Sequence, residues 1–260
     1  MEIAVCQTDI VYRDKKYNLI TAEDYISQCV ENGADLVLFP EMSMTGYELN
    51  PELISETPQS NEVLNTMSGY AARYGTAIGV GYVLLDGGVY TNRYAIVGKD
   101  GSVLCDYSKI HPFSPAGEDE CYTAGDSLEF CEIDGVTVCP LICYDLRFPE
   151  IFQAASEKAD VIVVAANWDG IRNNHWKLLL QARALENQCY ILGVNRIGSD
   201  GRAFYVGNSM VIDPEGQIID VLEGQAGFML AEVSKEKVEE CRDNFPLKKD
   251  RRPDLYKKLL

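Results

Sequence analysis

The sequence has no CxxC pair and only two histidines, His111 and His175, so the usual spacings of a zinc site are absent and no metal is expected. The tightest thiol group, Cys131, Cys139 and Cys143, lies mostly in strand-like sequence. No apolar run approaches the ~18–20 residues that cross a bilayer. The start, Met1 to Gln7, lacks the basic residues and cleavage site of a signal peptide and reads as a first strand. There is no phosphate-binding glycine motif and no need of an organic cofactor. No basic stripe with interleaved aromatics is present, and a formal charge of −17 repels a polyanion, so nucleic acid is not an expected partner. A low-complexity linker is missing too, and the 260 residues are expected to form one domain, 1–260.

What is present is ordinary for a globular chain: 47% hydrophobic and 24% charged residues. The nine cysteines are odd in number and show no disulfide framework, so free thiols in the cytoplasm are expected. On so acidic a protein, an anionic substrate needs a local arginine or lysine. Basic residues gather late, at Lys248, Lys249, Arg251, Arg252, Lys257 and Lys258, among acidic neighbours. They read as solvated surface or a subunit contact.

Hydrophobic patterning divides the chain into two similar halves. In the first, strands are expected at Ile3–Gln7, Asp35–Pro40, Ala77–Leu85, Val89–Val97 and Val103–Tyr107. Helices are expected over Asp14–Asn32 and through Val63, Met67 and Ala71. In the second, strands are expected at Val136–Ile142, Val161–Ala165, Cys189–Asn195, Tyr205–Ile212, Gln217–Leu222 and Gly227–Glu232. Helices are expected at Pro149–Lys158, Asn174–Asn187 and from Ser234 to Asn244. Each half is βαβαβ followed by hairpins. Two such layers packed sheet to sheet predict an α/β fold, a four-layer α–β–β–α sandwich. His111 to Asp134 is the one long loop, and loops of that length inside a compact domain are usually functional.

The most informative run is Pro140-Leu141-Ile142-Cys143-Tyr144-Asp145-Leu146-Arg147-Phe148-Pro149-Glu150. A cysteine at a strand-to-helix junction can present its sulfur at a sheet rim, where backbone N–H groups lower the thiol pKa and bind an oxyanion. By itself it reads first as a buried structural cysteine and only then as a candidate nucleophile. Glu41, Asn167 and Lys109 also follow strands, so four chemistry-bearing residues sit at strand carboxyl ends, where α/β folds place ligands. A papain-like pairing of the cysteine with His111 or His175 is the alternative. His111 is expected to hydrogen-bond near the site, His175 to pack beside Trp176, and Arg147 to make structural ion pairs.

Three segments together resemble the nitrilase superfamily of carbon–nitrogen hydrolases: Leu36-Val37-Leu38-Phe39-Pro40-Glu41-Met42 with Thr45-Gly46-Tyr47, then Tyr107-Ser108-Lys109-Ile110-His111, then the Cys143 run. The resemblance implies Glu41, Lys109 and Cys143 as a catalytic triad, with Glu118 as a second glutamate beside the lysine. It implies proton abstraction by Glu41, an oxyanion held by Lys109 and the Tyr144 N–H, and a thioester on Cys143. It implies a homo-oligomer, commonly a dimer, with residues 245–260 a C-terminal extension that could cross to the partner. Ala165-Ala166-Asn167-Trp168, Arg172, His175-Trp176, Ala182–Gln188 and Gly193–Gly198 are similar to the omega-amidase branch, which hydrolyses the terminal amide of 2-oxo dicarboxylic acid monoamides. Arg172 is the expected carboxylate partner, with Tyr47, Phe113, Tyr144, Asn167 and Trp168 around the substrate. One departure stands out: Asp169 follows Trp168 where these relatives carry proline. Its charge keeps a neutral or cationic amide open, such as an N-carbamoyl compound. A non-catalytic binding or assembly module is the reading from another class.

Overall fold

The computed structural model describes residues 1–259. The first half runs β1 (Glu2–Gln7), α1 (Lys15–Glu31), β2 (Leu36–Leu38), α2 (Glu62–Tyr74), β3 (Ala77–Asp86), β4 (Val89–Val97) and β5 (Val103–Ser108). A short helix, α3 (Glu118–Cys121), follows. The second half runs β6 (Cys131–Ile133), β7 (Val136–Ile142), α4 (Pro149–Ala155), β8 (Val161–Ala166), α5 (Asn173–Asn187), β9 (Tyr190–Asn195), β10 (Ile197–Ser199), β11 (Phe204–Ile212), β12 (Ile218–Glu223) and β13 (Gly227–Glu232). Helices α6 (Lys235–Asn244) and α7 (Pro253–Leu259) close the described chain.

Local chemistry sets the boundaries. Asp14 caps α1 by accepting the Tyr17 N–H at 3.0 Å, Asn61 caps α2 through Leu64 N at 2.9 Å, and Ser234 caps α6 through Lys237 N at 3.2 Å. Gly75 ends α2 in the left-handed conformation.

Two sheets pack face to face. One has the order β13-β1-β2-β3-β4-β5; the other is β10-β11-β9-β8-β7-β6, with β12 paired to β11. Period-two alternation divides the first sheet's side chains between two cores. Ile3, Val5, Leu36 and Leu38 meet Val138, Val163 and Val194 between the sheets. Ala4, Cys6, Val37 and Phe39 face Leu19, Ile26, Met67 and Ala71 of α1 and α2. Phe152, Trp176, Leu180 and Ala184 of α4 and α5 cover the second sheet. This is the expected α–β–β–α sandwich.

Three features depart from the expected layout. The strand Gly227–Glu232, placed by its position with the second half, crosses to the first sheet and pairs antiparallel with β1, Glu2 opposite Glu232. The segment His111–Asp134 is not one open loop: it holds a 3-10 turn at Ser114–Ala116, then α3 and β6. The late basic cluster is partly spent inside the chain. Arg242 and Lys248 donate to the Ser156 carbonyl after α4, and Arg251 donates to the Glu186 carbonyl and Asn187 Oδ1 at the end of α5. These cations complement the negative ends of two helices. Among the described residues, no helix is long and apolar enough to cross a membrane.

Candidate active site

Glu41 directly follows the β2 extension Phe39-Pro40, and Met42 beside it has φ +43°. Gly81 of β3 makes room for this turn, since a Cβ there would stand 2.4 Å from the Met42 nitrogen. Cys143 opens a 3-10 turn at the end of β7 and also lies in the left-handed region, φ +46°. Such a backbone costs on the order of 1–3 kcal/mol and persists only where its surroundings enforce it. Asp145 supplies the enforcement. Its buried carboxylate accepts the Ile142 N–H at 2.9 Å, the Tyr107 hydroxyl at 2.8 Å, and both N and Nδ1 of His111 at 3.0 and 2.9 Å. The cysteine turn is thereby tied to the segment that carries Lys109.

Lys109 follows β5 and is 1% exposed. Its Nζ lies 3.0 Å from Glu41 Oε1, 2.9 Å from Glu118 Oε1 and 2.8 Å from Glu118 Oε2. Burial alone would discharge the lysine, but the Glu118 and Glu41 carboxylates outweigh it and hold the pKa well above the ordinary value. Glu118, the first residue of α3, is fully buried and also accepts the Phe113 N–H at 2.7 Å and the Tyr47 hydroxyl at 3.3 Å. Glu41 Oε2 accepts the Asn167 backbone N–H at 2.9 Å, and the Asn167 side chain donates to the Glu41 carbonyl at 2.7 Å. The Cys143 thiol is pushed well above its usual pKa by burial and by the Glu41 carboxylate beside it, with Lys109 opposing. A thiol beside a carboxylate in this way can be activated by a general base.

A pocket of about 240 Å³ opens onto this cluster. Lys109, Cys143, Tyr144, Asn167 and Trp168 line it together with Tyr47, Phe113, Arg147, Arg172 and Arg202. All ten sequence-predicted residues thus meet here: Glu41 and Glu118 through Lys109, the other eight on the pocket wall. His111 sits against Asp145 and stacks on Phe148 at 3.7 Å, one layer behind the pocket.

Two expectations are corrected. His175 does not pack beside Trp176; it is exposed, and its Nδ1 lies 3.3 Å from Arg147 Nη2. Arg147 makes no ion pair among the described residues. Asp145, its neighbour in sequence, is saturated by other donors, so the guanidinium lies over the Trp168 ring at 4.9 Å and faces the pocket. Arg172, by contrast, is engaged by Asp169 at 3.4 Å, and Arg202 by Asp200 at 3.2 Å. Asp169 also caps its own turn through the Ile171 N–H.

Sequence reasoning missed Asn92, Arg147, Asp145 and Arg202. A signal existed for Asn92: alternation along β4 places it on the same face as the buried Tyr94 and Ile96, and a polar residue on an apolar face is informative.

The sandwich and the thiol, ammonium and carboxylates at its strand ends define a hydrolase frame, and comparison with known proteins agrees. Residues 2–243 match the carbon-nitrogen hydrolase family model. The chain is 35% identical to 2-oxoglutaramate amidase of Bacillus subtilis over 259 residues, 98% of each protein. It is 36% identical to omega-amidase YafV of Yersinia enterocolitica over 253 residues, covering 95% of this chain and 94% of that one. A crystal structure of XC1258 from Xanthomonas campestris, a CN-hydrolase superfamily protein with an arsenic adduct in its active site, superposes with a TM-score of 0.87 at 31% identity, covering 97% of each chain. The chain belongs to the carbon–nitrogen hydrolase family. Its chemistry is that of the family's amidases, cleavage of a carbon–nitrogen bond by water.

Proposed function

We propose that the protein is an omega-amidase that releases ammonia from the terminal amide of a short 2-oxo dicarboxylic acid monoamide, such as 2-oxoglutaramate, through a thioester on Cys143. The observation that carries the substrate class is which pocket cation lacks a partner. Of the four cations on the pocket wall, Lys109, Arg172 and Arg202 each have a carboxylate partner, and Arg147 has none among the described residues. Arg147 is therefore the pocket cation left free to pair with a substrate carboxylate, while the second carboxylate on Lys109 belongs to the buried cluster behind it. The pocket's volume lies below the ~300–1,000 Å³ of sites for drug-sized ligands and calls for a small molecule. Asp169 and Asp200 are neutralised locally, so the reason for a cationic or neutral amide falls away.

The mechanism follows from the contacts. Glu41 takes the thiol proton as sulfur attacks the amide carbon. The oxyanion forms against Lys109 and the Tyr144 N–H. Glu41 returns the proton to the nitrogen, ammonia leaves, and the acyl group remains on sulfur. Water, deprotonated by Glu41, attacks the thioester, and the thiol recovers its proton from Glu41. All three Lys109 N–H groups face carboxylate oxygens at rest, so one must be released to the oxyanion. Glu118 can release it, being held by Phe113 and Tyr47 as well.

Two copies are proposed to pair through α5. Leu178 and Leu185 are exposed on α5 seven residues apart, with exposed Ala182 between them and exposed Ile171 in the turn just before the helix, forming an apolar face of the kind helices bury against each other. The nine free cysteines suit the reducing cytoplasm. The test is ammonia release from 2-oxoglutaramate, from a neutral aliphatic amide and from an N-carbamoyl amino acid, by wild type and Cys143→Ala. The expected result is preference for 2-oxoglutaramate, with no release by the variant and a thioester mass on the wild-type protein. Equal rates on the neutral amide would refute the substrate class; undiminished Cys143→Ala activity would refute the mechanism.

A further inference from the structure

We infer that Asn92 is a positioning residue that holds Glu41 and Glu118 in place while Lys109 turns toward the oxyanion. The inference rests on the thioester mechanism above and adds a residue to it. Asn92 lies on β4, is 1% exposed, and its backbone carbonyl accepts the Lys109 N–H at 2.9 Å. Its Nδ2 donates to Glu41 Oε1 at 2.8 Å and to Glu118 Oε1 at 3.0 Å. These are two of the three oxygens that Lys109 Nζ contacts. Each Oε1 thus has two donors, one charged and movable, one neutral and fixed to a central strand.

The consequence appears when the ammonium moves. A buried carboxylate oxygen stripped of its donor carries a large desolvation penalty, and that penalty would oppose any shift of Lys109. With Asn92 in place neither Oε1 is stripped, and Glu118 Oε2 keeps the Phe113 N–H and the Tyr47 hydroxyl. The exchange of one lysine contact for the oxyanion then proceeds without exposing a naked charge. Asn92 does this without altering the charge of a cluster that already holds two carboxylates and one ammonium. The amide orientation is fixed by its surroundings, because a flip would set Oδ1 against both carboxylates. Oδ1 itself is buried without a partner, so the side chain is retained for its NH₂ end at the expense of an unsatisfied acceptor.

The test is steady-state kinetics on 2-oxoglutaramate with Asn92→Ala and Asn92→Ser, beside Glu41→Gln and Cys143→Ala. Loss of two charge-assisted donors predicts a kcat lower by about 10–100-fold in Asn92→Ala, with KM within about threefold of wild type. Serine keeps one donor and should recover part of that loss. Combining Asn92→Ala with Glu118→Gln should cost less than the product of the single losses, because both act through one cluster. Melting temperature and alkylation of Cys143 by iodoacetamide verify the fold, and Asn92→Ser serves alone if the alanine variant does not fold. Wild-type kcat in either folded Asn92 variant, or a raised KM at unchanged kcat, overturns the inference while leaving the triad intact. Activity in Glu41→Gln or Cys143→Ala would instead overturn the mechanism beneath it.

Discussion

Replacing Arg147 with methionine keeps much of the side chain's length and apolar stem and removes the pocket cation that has no carboxylate partner among the described residues. The guanidinium lies over Trp168 and against His175, with no carboxylate to hold it back from substrate. A hydrogen bond to a charged group is worth ~1.5–3 kcal/mol, and each 1.4 kcal/mol is tenfold, so kcat/KM for 2-oxoglutaramate should fall by about 10–150-fold. A neutral aliphatic amide gains nothing from that charge and should lose no more than about twofold through altered packing on Trp168. Arg172→Met should cost the anionic substrate about fivefold or less, because Asp169 already screens that arginine in the free enzyme. The assay is ammonia release under steady-state conditions with both amides and all three proteins. Equal losses on the two amides in Arg147→Met, or a larger loss in Arg172→Met, would refute the role of Arg147 on which the substrate class rests.

Two further outcomes follow from the same contacts. Because burial and Glu41 push the Cys143 thiol above its usual range, the ultraviolet thiolate difference between wild type and Cys143→Ala should stay absent up to about pH 9; a thiolate band already present at pH 7 would favour a Cys143–Lys109 ion pair over general-base activation. Leu178→Lys places a charge in the apolar face of α5 and should convert a dimer to monomers by light scattering while leaving the melting temperature within a few degrees, since Leu178 is 65% exposed in the single chain; wild type running as a monomer would remove that face's assigned role.

Much of this molecule is legible in its sequence, for identifiable reasons. Strands such as Val161–Ala166 and helices with Asp14, Asn61 or Ser234 at their starts are set by local pattern and local caps, and they fall within a few residues of expectation. Glu41, Lys109 and Cys143 are recognisable because each ends a strand in a distinctive context. What was not legible is pairing. Nothing in Gly227–Glu232 states which sheet it joins, because an alternating strand fits either. Arg147 misled for the same reason: its neighbour Asp145 is a natural ion-pair partner in one dimension, but in space that carboxylate belongs to Tyr107, His111 and Ile142. Glu118 is followed by Asp119 and Glu120, and what sets it apart from them is the turn of helix that buries it. The charges that decide substrate class are those left over after such pairings, and a remainder cannot be read before the pairs are known.

The antiparallel ladder between β1 and β13 has a bearing on how the protein is made. Glu2 must wait for Glu232 before the outer edge of β1 is covered. Until then a nascent chain carries an open row of amides beside a nearly finished sheet, a template for illicit strand addition. Closing the barrier-setting loop of some 230 residues comes last, which makes maturation slow relative to helix formation. A ribosome stalled shortly before β13 should therefore display a protease-sensitive, chaperone-bound intermediate, and a chain extended until β13 clears the ribosome should lose it.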